Sequence, residues 1–276
     1  TRSFHVTGVQ TCALPIWFEK LWGAKLDPKP GLTVVEIMNA AAKGEIRGMY
    51  IMGENPAMSD PDAHHAREAL AKLDHLVVQE IFLTETCYHA DVILPATTWP
   101  EKLGTVTNTD RMVQLGRPAV TPPGDAKPDL WIIQELARRL GLDWNYDSAR
   151  DVFNEMRKSM NSIAGITWER LEAESSVTYP CEKEGDPGQP VVFVDKFPTA
   201  TGRAKLVPAD IIPAAEQPDR EFPFVLITGR QLEHWHTGAI TRRAAVLDAI
   251  EPVPVASVHP LDLDRKSTRL NSSHVK

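Results

Sequence analysis

The sequence predicts an α/β protein built on a parallel, doubly wound β-sheet. Helical and strand-like patterns alternate along residues 31–145, which is typical of a parallel sheet with helices on both faces. Residues 146–220 differ, because they hold many of the 22 prolines and little periodicity. Strand-like patterns return from residue 221. We therefore divide the chain into an α/β domain (17–145), a connector (146–220) and the start of a β-rich domain (221–263).

The α/β domain opens with a helix, a strand and a second helix. The segment GLTVVEIMNAAAKG (31–44) places apolar residues on one helical face and ends at Gly44. The short apolar run IRGMYIMG (46–53) ends in glycine, as a buried parallel strand does. Residues 59–74 predict the second helix, with Ser59 as its N-cap and proline and aspartates in the first turn.

Two further strands and a helix complete this domain. The strands are HLVVQEIF (75–82) and ADVILPA (90–96). The segment DLWIIQELARRLG predicts a helix that begins with Asp129 as its N-cap and closes at Gly141.

The rest of the chain is less regular. In the connector we expect one or two short strands and a helix around 152–160. Beyond it, FPFVLITGR (222–230) predicts a strand, and AVLDAIEPVPVASVHP (245–260) predicts short β segments.

The two ends of the chain look like translated adapter DNA. VTGVQTCALPI (6–16) and DRKSTRLNSSH (264–274) can be back-translated into DNA strings that, apart from an edge base, are reverse complements of each other. Both strings resemble a sequencing-library adapter, and residues 1–16 lack the apolar core of a signal peptide. We therefore expect 1–16 and 264–276 to be artefactual and unstructured, and 17–263 to be a fragment.

Charge and cysteine content exclude several classes of protein. The chain has 30 basic and 37 acidic residues, and without its ends it keeps 25 basic and 36 acidic ones, a net charge near −11. Such an acidic chain binds nucleic acid and anionic membranes poorly. Cys87 and Cys181 lie 94 residues apart, so we expect buried, reduced thiols rather than a disulfide or a zinc ribbon. No run of 18 apolar residues predicts a membrane span.

Polar residues follow each predicted strand of the sheet. Ligands of open α/β sheets bind at the carboxyl ends of the strands. Three loops leave these ends, and together they predict a nucleotide-like ligand, although no dinucleotide-binding or P-loop glycine motif is present. In QEIFLTET (79–86), a carboxylate could accept two N–H donors from the edge of a guanine. The candidate residues are Gly53, Glu54 and Asn55 in the first loop, Gln79 and Glu80 in the second, and Lys102 and Asn108 in the third.

The segment TGRQLEHWHTG (228–238) carries the densest set of polar side chains. His234 and His236 would point to opposite faces of a strand and lack a third ligand, so a metal site is disfavoured. Aromatic packing with solvated charges is one alternative. We favour an anion-binding set made of the Thr228–Gly229 backbone N–H groups, Arg230 and the two histidines.

These motifs together resemble a known family. GMYIMGENPAMSDPD, HLVVQEIFLTETCYHADVILPATTWPEKLGTVTNTDRMVQ and LITGRQLEHWHTGAITRR are similar to the molybdopterin oxidoreductases of the dimethyl-sulfoxide-reductase family. Within that family, the sequence most resembles the alpha subunit of cytosolic NAD-dependent formate dehydrogenases. The resemblance implies that the last domain is a β-barrel and that the protein is cytoplasmic.

The resemblance also implies a cofactor and the residues that contact it. The cofactor is a molybdenum or tungsten ion held by two molybdopterin guanine dinucleotides. The nucleotide contacts fall on Asn55, Gln79, Glu80, Lys102 and Asp129, beside Gly53 and Glu54. The pyrophosphate and pterin contacts fall on Thr228, Gly229, Arg230, Gln231, Leu232, Glu233, His234, Trp235, His236 and Thr237.

The implied reaction is oxidation of formate to CO2, with electrons leaving through 4Fe-4S clusters to flavin or iron–sulfur subunits linked to NAD. In that family the metal ligand, the catalytic residues and the cluster cysteines lie upstream, so we assign none here and expect the fragment to be inactive. The alternatives are a nitrate reductase catalytic subunit, a non-catalytic large subunit of the complex I type, and a plain nucleotide-binding module.

Overall fold

The computed structural model describes residues 10–27, 29–214 and 216–265. The chain forms two compact units. The first contains the residues up to 54 together with 65–207, and the second contains 55–64 and the residues from 208 onward. Most of the two ends that we attribute to adapter DNA lie outside the described residues.

The first helix begins inside the stretch that we expected to be unstructured. Helix α1 spans Gln10–Trp22 and ends at Gly23, whose φ is +62°. Extending an existing helix by one residue costs far less than nucleating a new one, so residues 10–16 can continue a helix formed by 17–22. Trp22 Nε1 donates a hydrogen bond to Glu155 Oε1 at 3.0 Å, which anchors the end of α1 within the first unit.

A three-stranded parallel sheet organises the first unit. Its strands are β1 (Gly48–Met52), β2 (His75–Glu80) and β3 (Val92–Pro95), in the order β1-β2-β3. The register aligns Met52 with Gln79, and Glu80 with Pro95. The three predicted strands are therefore confirmed, and their carboxyl ends meet at one edge of the sheet.

The two faces of this sheet differ in burial. Ile51, Leu76 and Val78 are buried on one face, whereas Tyr50 and Val92 remain exposed on the other. We expected helices on both faces. Strands in consecutive order take right-handed connections that all fall on one face, and covering the other face requires a reversal of strand order. The described residues contain no such reversal.

Helix α2 (Val34–Ala42) precedes the sheet and confirms the first predicted helix. Thr33 and Glu36 form a capping box, in which the Glu36 carboxylate accepts the Thr33 N–H at 2.7 Å. This contact and the Thr33 side chain lower the pKa of Glu36. The helix ends at Gly44, which has a φ of +77°.

Two predicted helix caps are wrong. Ser59 ends a one-turn helix, α3 (Pro56–Ser59), instead of capping α4 (Ala63–Ala71). Proline at the first position favours α3, since its missing N–H needs no partner there. Asp129 is the first residue of α5 (Asp129–Arg139), whose N-cap is Pro128, and its carboxylate makes no capping bond.

A second sheet lies in the same unit and is antiparallel. Its strands are β4 (Gly104–Thr107), β5 (Met112–Gly116) and β6 (Ser176–Thr178), in the order β4-β5-β6. Asn108 Oδ1 accepts the Met112 N–H at 2.9 Å in the turn between β4 and β5. Asn108 therefore shapes this turn, and the ligand contact that we expected for it stays a prediction.

Helices α6 (Ala149–Ser159) and α7 (Trp168–Glu174) join this sheet in one hydrophobic core. The helix expected around 152–160 is thereby confirmed, and residues 146–207 belong to the first unit, with no helix or strand after β6. The buried residues of this core are Val113, Leu115, Phe153, Ile163, Ile166, Trp168, Leu171, Val177 and Cys181.

Cys87 and Cys181 are free and buried, as expected. Burial raises the pKa of the Cys181 thiol, and the Arg170 guanidinium, 3.4 Å from Sγ, opposes that rise.

The second unit is mostly irregular. Its described elements are α3, a 3-10 turn at Thr241–Arg243, α8 (Ala245–Ile250) and α9 (Pro260–Arg265). The strand expected at 222–230 and the β segments expected at 245–260 are wrong for the described residues. An extended segment becomes a strand only when a neighbour pairs with its backbone, and no described residue pairs with 222–230. No helix among the described residues is long and apolar enough to cross a membrane.

The core around α7 yields a prediction for stability. Leu171 is fully buried, so Leu171→Ala should lower the free energy of unfolding by about 2–5 kcal/mol. Leu140→Ala, at a position that is 77% exposed, is the matched control and should change it by less than about 0.5 kcal/mol. Urea unfolding followed by tryptophan fluorescence measures both. Equal losses in the two variants would show that this core does not hold the unit together.

Candidate functional site

Five polar residues of the first unit converge where the parallel strands end, and we call them the strand-end cluster: Tyr50, Gln79, Thr97, Lys102 and Asp129. Gln79 is the second-to-last residue of β2, where it aligns with Met52 of β1. Tyr50 lies two residues before Met52, on the same face of the sheet. Thr97 follows β3, Lys102 follows a 3-10 turn at Trp99–Glu101, and Asp129 begins α5.

A continuous chain of hydrogen bonds links these side chains. The Tyr50 hydroxyl donates to Gln79 Oε1, and Gln79 Nε2 donates to Asp129 Oδ1 at 2.6 Å. Lys102 Nζ forms an ion pair with Asp129 Oδ2 and also donates to the Thr97 carbonyl at 3.0 Å. The Asp129 carboxylate is therefore held from both of its oxygens.

The cluster is buried on one side and open on the other. Gln79 is fully buried, whereas the side chains of Lys102 and Asp129 are 26% and 29% exposed. Burial, and then the negative charge of Asp129, raise the pKa of Tyr50. Thr97 Oγ1 is buried and has no hydrogen-bond partner among the described residues.

This arrangement can recognise a ligand that offers paired donors. A carboxylate has about four lone-pair sites, and Gln79 and Lys102 occupy one on each oxygen of Asp129. The remaining sites can accept two neighbouring N–H groups from a ligand at the exposed side. Lys102 was expected to meet a phosphate; its ammonium contacts Asp129 and the Thr97 carbonyl, and a phosphate contact stays a prediction.

The other predicted residues of the first unit face inward or shape the backbone. Glu80 is buried, and its Oε1 accepts the Ile81 N–H at 2.7 Å. Gly53 has a φ of +64°, and its N–H donates to the Gln79 carbonyl at 3.0 Å, which turns the chain at the end of β1. Glu54 follows in the same exposed turn.

In the second unit, a hydrogen-bond network surrounds His234. Its Nε2 lies 2.7 Å from the Glu251 carbonyl and its Nδ1 lies 3.3 Å from Thr241 Oγ1. Since a carbonyl only accepts, Nε2 carries the proton in this pair. The same Thr241 oxygen accepts the Trp235 N–H at 3.0 Å. His234 is buried by these contacts and holds the segment in place.

The neighbouring residues are more open. His236 has a φ of +51°, and its ring packs edge-on against Trp235 with centroids 4.6 Å apart. The Arg230 guanidinium lies 5.9 Å from the Trp235 ring centroid, within reach of a cation–π contact. Thr237 Oγ1 lies 3.1 Å from Ser59 Oγ, and Asn55 in the same unit is buried.

The rest of the predicted anion-binding set is not organised by protein contacts. Thr228, Gly229, Gln231 and Leu232 are exposed and irregular, and Glu233 is half-buried. His234 is buried and His236 is exposed. This difference does not come from strand alternation, because the described segment is not a strand. Among the described residues, no group of three or more His, Cys, Asp or Glu side chains could hold a metal ion.

Sequence reasoning missed Tyr50 and Thr97, gave Ser59 only the role of a helix cap, and expected Thr241 to extend the anion-binding set. Tyr50 could have been found from strand alternation, because it lies on the same face as Met52, the last residue of β1. Thr97 stands directly after a predicted strand, among the polar residues of its loop. The partners of Ser59 and Thr241 could not be predicted, since they lie far away or across a turn whose form the sequence does not reveal.

Comparison with known proteins gives a consistent family. The molybdopterin oxidoreductase family matches residues 4–139. An F420-dependent formate dehydrogenase subunit alpha of Methanocaldococcus jannaschii is 47% identical over 89% of this chain and 36% of its own length. A second such subunit, from Methanococcus maripaludis, is 38% identical over 94% of this chain and 38% of its own. A putative formate dehydrogenase of Bacillus subtilis is 38% identical over 88% of this chain and 24% of its own.

The fold has a counterpart among solved structures. Acetylene hydratase from Pelobacter acetylenicus matches with a TM-score of 0.60 and 22% identity, over 92% of this chain and 37% of that chain. At this identity, the likeness concerns the fold alone. The chain spans between 24% and 38% of the length of the curated relatives described above.

The charge of Asp129 yields a prediction for Tyr50. Because a nearby carboxylate disfavours the phenolate, Asp129→Asn should lower the pKa of Tyr50 towards its ordinary value near 10. Nuclear magnetic resonance of the chain with 13C-labelled tyrosine rings resolves each titration. Tyr146 is the internal control, since its raised pKa comes first from its hydrogen bond to Glu155 and should not move. An unchanged Tyr50 pKa would mean that the two groups do not interact in solution.

Proposed function

This chain belongs to the molybdopterin oxidoreductase family, and from that premise we propose that it is part of the catalytic subunit of a formate dehydrogenase. The whole protein would oxidise formate to CO2. The observation that carries this proposal is the similarity, along almost all of the chain, to formate dehydrogenase alpha subunits from archaea and bacteria. The family implies a molybdopterin cofactor with molybdenum or tungsten.

The strand-end cluster fits the nucleotide end of such a cofactor. Asp129 keeps lone pairs on both carboxylate oxygens, and the buried hydroxyl of Thr97, whose carbonyl accepts from Lys102, lacks a hydrogen-bond partner among the described residues. Guanine presents two adjacent donors, N1–H and N2–H2, and a carboxylate accepts such a pair. We therefore propose the guanine dinucleotide form of the cofactor, with Asp129 as the base-recognition group.

The other residues of the first unit would support Asp129. Gln79 and Lys102 hold its carboxylate by a hydrogen bond and an ion pair. Gly53 and Glu54 shape the turn after β1, and Glu80 lies beside the site with its carboxylate folded onto the backbone. Their direct contact with the nucleotide, and that of Asn55, remains a prediction from the family resemblance.

The segment 228–237 would bind the charged part of the cofactor. Arg230 supplies a guanidinium for the pyrophosphate, and the exposed backbone N–H groups of Thr228–Leu232 supply further donors. His234, Trp235, His236, Thr237 and Glu233 form the better-packed end of this segment, where Thr241 holds His234 and Trp235. His236 is exposed and can donate to an anion, whereas His234 acts by fixing the loop.

When bound, the metal would supply the two-electron redox chemistry of formate oxidation. The residues described here would bind and orient the cofactor, and we assign no catalytic or metal-ligating role to them. We further propose iron–sulfur clusters and an electron-accepting partner subunit in the complete enzyme. Several relatives are named F420-dependent, so both F420 and the NAD that we expected are acceptors to test.

The proposed activity can be tested on the complete reading frame that contains residues 17–263. After anaerobic purification from cells supplied with molybdate and tungstate, the protein should reduce a viologen dye with formate and should not oxidise reduced viologen with nitrate. Asp129→Asn should lower the pterin content at least tenfold, since hydrogen bonds to charged groups each contribute about 1.5–3 kcal/mol. Asp125→Asn, an exposed aspartate in the preceding loop, is the matched control.

Three results would each contradict part of the proposal. Activity with nitrate and none with formate would favour a nitrate reductase of the same family. A protein that binds the pterin cofactor but acts on neither substrate would favour a non-catalytic subunit. Equal pterin content in the Asp129 and Asp125 variants would show that the strand-end cluster does not bind the cofactor.

A further inference from the structure

Tyr50 is the member of the strand-end cluster that has no role in the function proposed above. Its hydroxyl donates to Gln79 Oε1, although its ring is 41% exposed. The parallel register sets Tyr50 opposite Val77, two residues before Gln79 on the same face of the sheet. Tyr50 therefore reaches Gln79 diagonally across two neighbouring strands.

The direction of the Gln79 amide matters for Asp129. The two ends of a glutamine amide have nearly the same shape, but one end donates and the other accepts. Tyr50 donates to the oxygen end, which leaves the NH2 end directed at Asp129 Oδ1 at 2.6 Å. If the amide turned over, its oxygen would face the carboxylate and repel it. Tyr50 and Asp129 thus hold Gln79 from opposite ends.

Lys102 holds the second carboxylate oxygen of Asp129, Oδ2, by an ion pair. Lys102 is itself held by the Thr97 carbonyl at 3.0 Å, so its ammonium has a fixed position. With Oδ2 held by Lys102 and Oδ1 held by Gln79, the plane of the carboxylate is defined. The hydroxyl of Tyr50 is the outer end of this chain of hydrogen bonds, and its hydrogen-bonded route to Asp129 runs through Gln79.

We propose that Tyr50 is a positioning residue for guanine recognition, which acts through Gln79 to orient the Asp129 carboxylate towards the paired donors of the base. This inference rests on the proposed binding of a guanine nucleotide. It predicts selectivity as well as affinity, because only a correctly oriented carboxylate accepts N1–H and N2–H2 together. Hypoxanthine keeps N1–H but lacks the amino group, and adenine presents a different edge.

The test measures binding of GDP, IDP and ADP to the 276-residue chain by isothermal titration calorimetry. The wild-type chain should prefer GDP over both other nucleotides. Tyr50→Phe removes one hydrogen bond worth about 1 kcal/mol, so it should weaken GDP binding about fivefold and leave IDP binding within about twofold. Tyr88→Phe, at a tyrosine that is 82% exposed and lies outside the cluster, should change neither affinity.

A double-mutant cycle separates positioning from a general structural role. In a Gln79→Ala background, Tyr50→Phe should cause no further loss of GDP affinity, because the hydrogen bonds by which Tyr50 orients the Asp129 carboxylate are gone. The urea midpoint of each variant shows that the chain is folded.

Three results would overturn the proposal. They are an unchanged preference for GDP over IDP in Tyr50→Phe, an equal loss of both affinities, and an additive loss in the Gln79→Ala background. A wild-type chain that does not prefer GDP over ADP would also reject guanine recognition itself, and with it the cofactor form proposed above. A selective wild type with a silent Tyr50→Phe would reject the role of Tyr50 alone.

Discussion

The site depends on one interaction, the hold of Gln79 and Lys102 on the two oxygens of the Asp129 carboxylate. These three residues come from the end of β2, the loop after β3 and the first residue of α5. Their contact therefore joins three segments that are distant in sequence. Because the ammonium and the amide satisfy only part of the carboxylate's accepting capacity, the same interaction that ties the segments together leaves a charged acceptor for a ligand.

In the second unit, a hydrogen-bond network around His234 fixes the backbone of the polar segment. There, the single Thr241 hydroxyl accepts the Trp235 N–H and pairs with His234, whose other nitrogen donates to the Glu251 carbonyl. This network orders one end of the 228–238 segment and leaves the Arg230 end open to solvent. In both units, a polar network fixes the backbone, and a charged group, Asp129 or Arg230, lies at its more exposed margin.

Much of this could be predicted from the sequence, and the failures have physical causes. The alternation of short apolar runs and helices predicted all three parallel strands, and the strand-end rule placed Gln79 and Lys102 at one edge, whereas Asp129 was expected there only from the family resemblance. It did not predict that Lys102 would pair with Asp129, since partner choice depends on the loop path. Residues 222–230 have strand-like composition, yet no described residue pairs with their backbone. Tyr50 was missed because its role depends on the register between two strands.

The central claim is that the Asp129 carboxylate, oriented by Gln79 and Lys102, recognises a guanine base. The most direct measurement is a crystal structure of the chain bound to GDP. The account predicts that N1–H and N2–H2 of the base donate to the two Asp129 oxygens while the Gln79 and Lys102 contacts persist. A base bound elsewhere, or one that displaces Lys102 and leaves its N2–H2 group without Asp129, would contradict it.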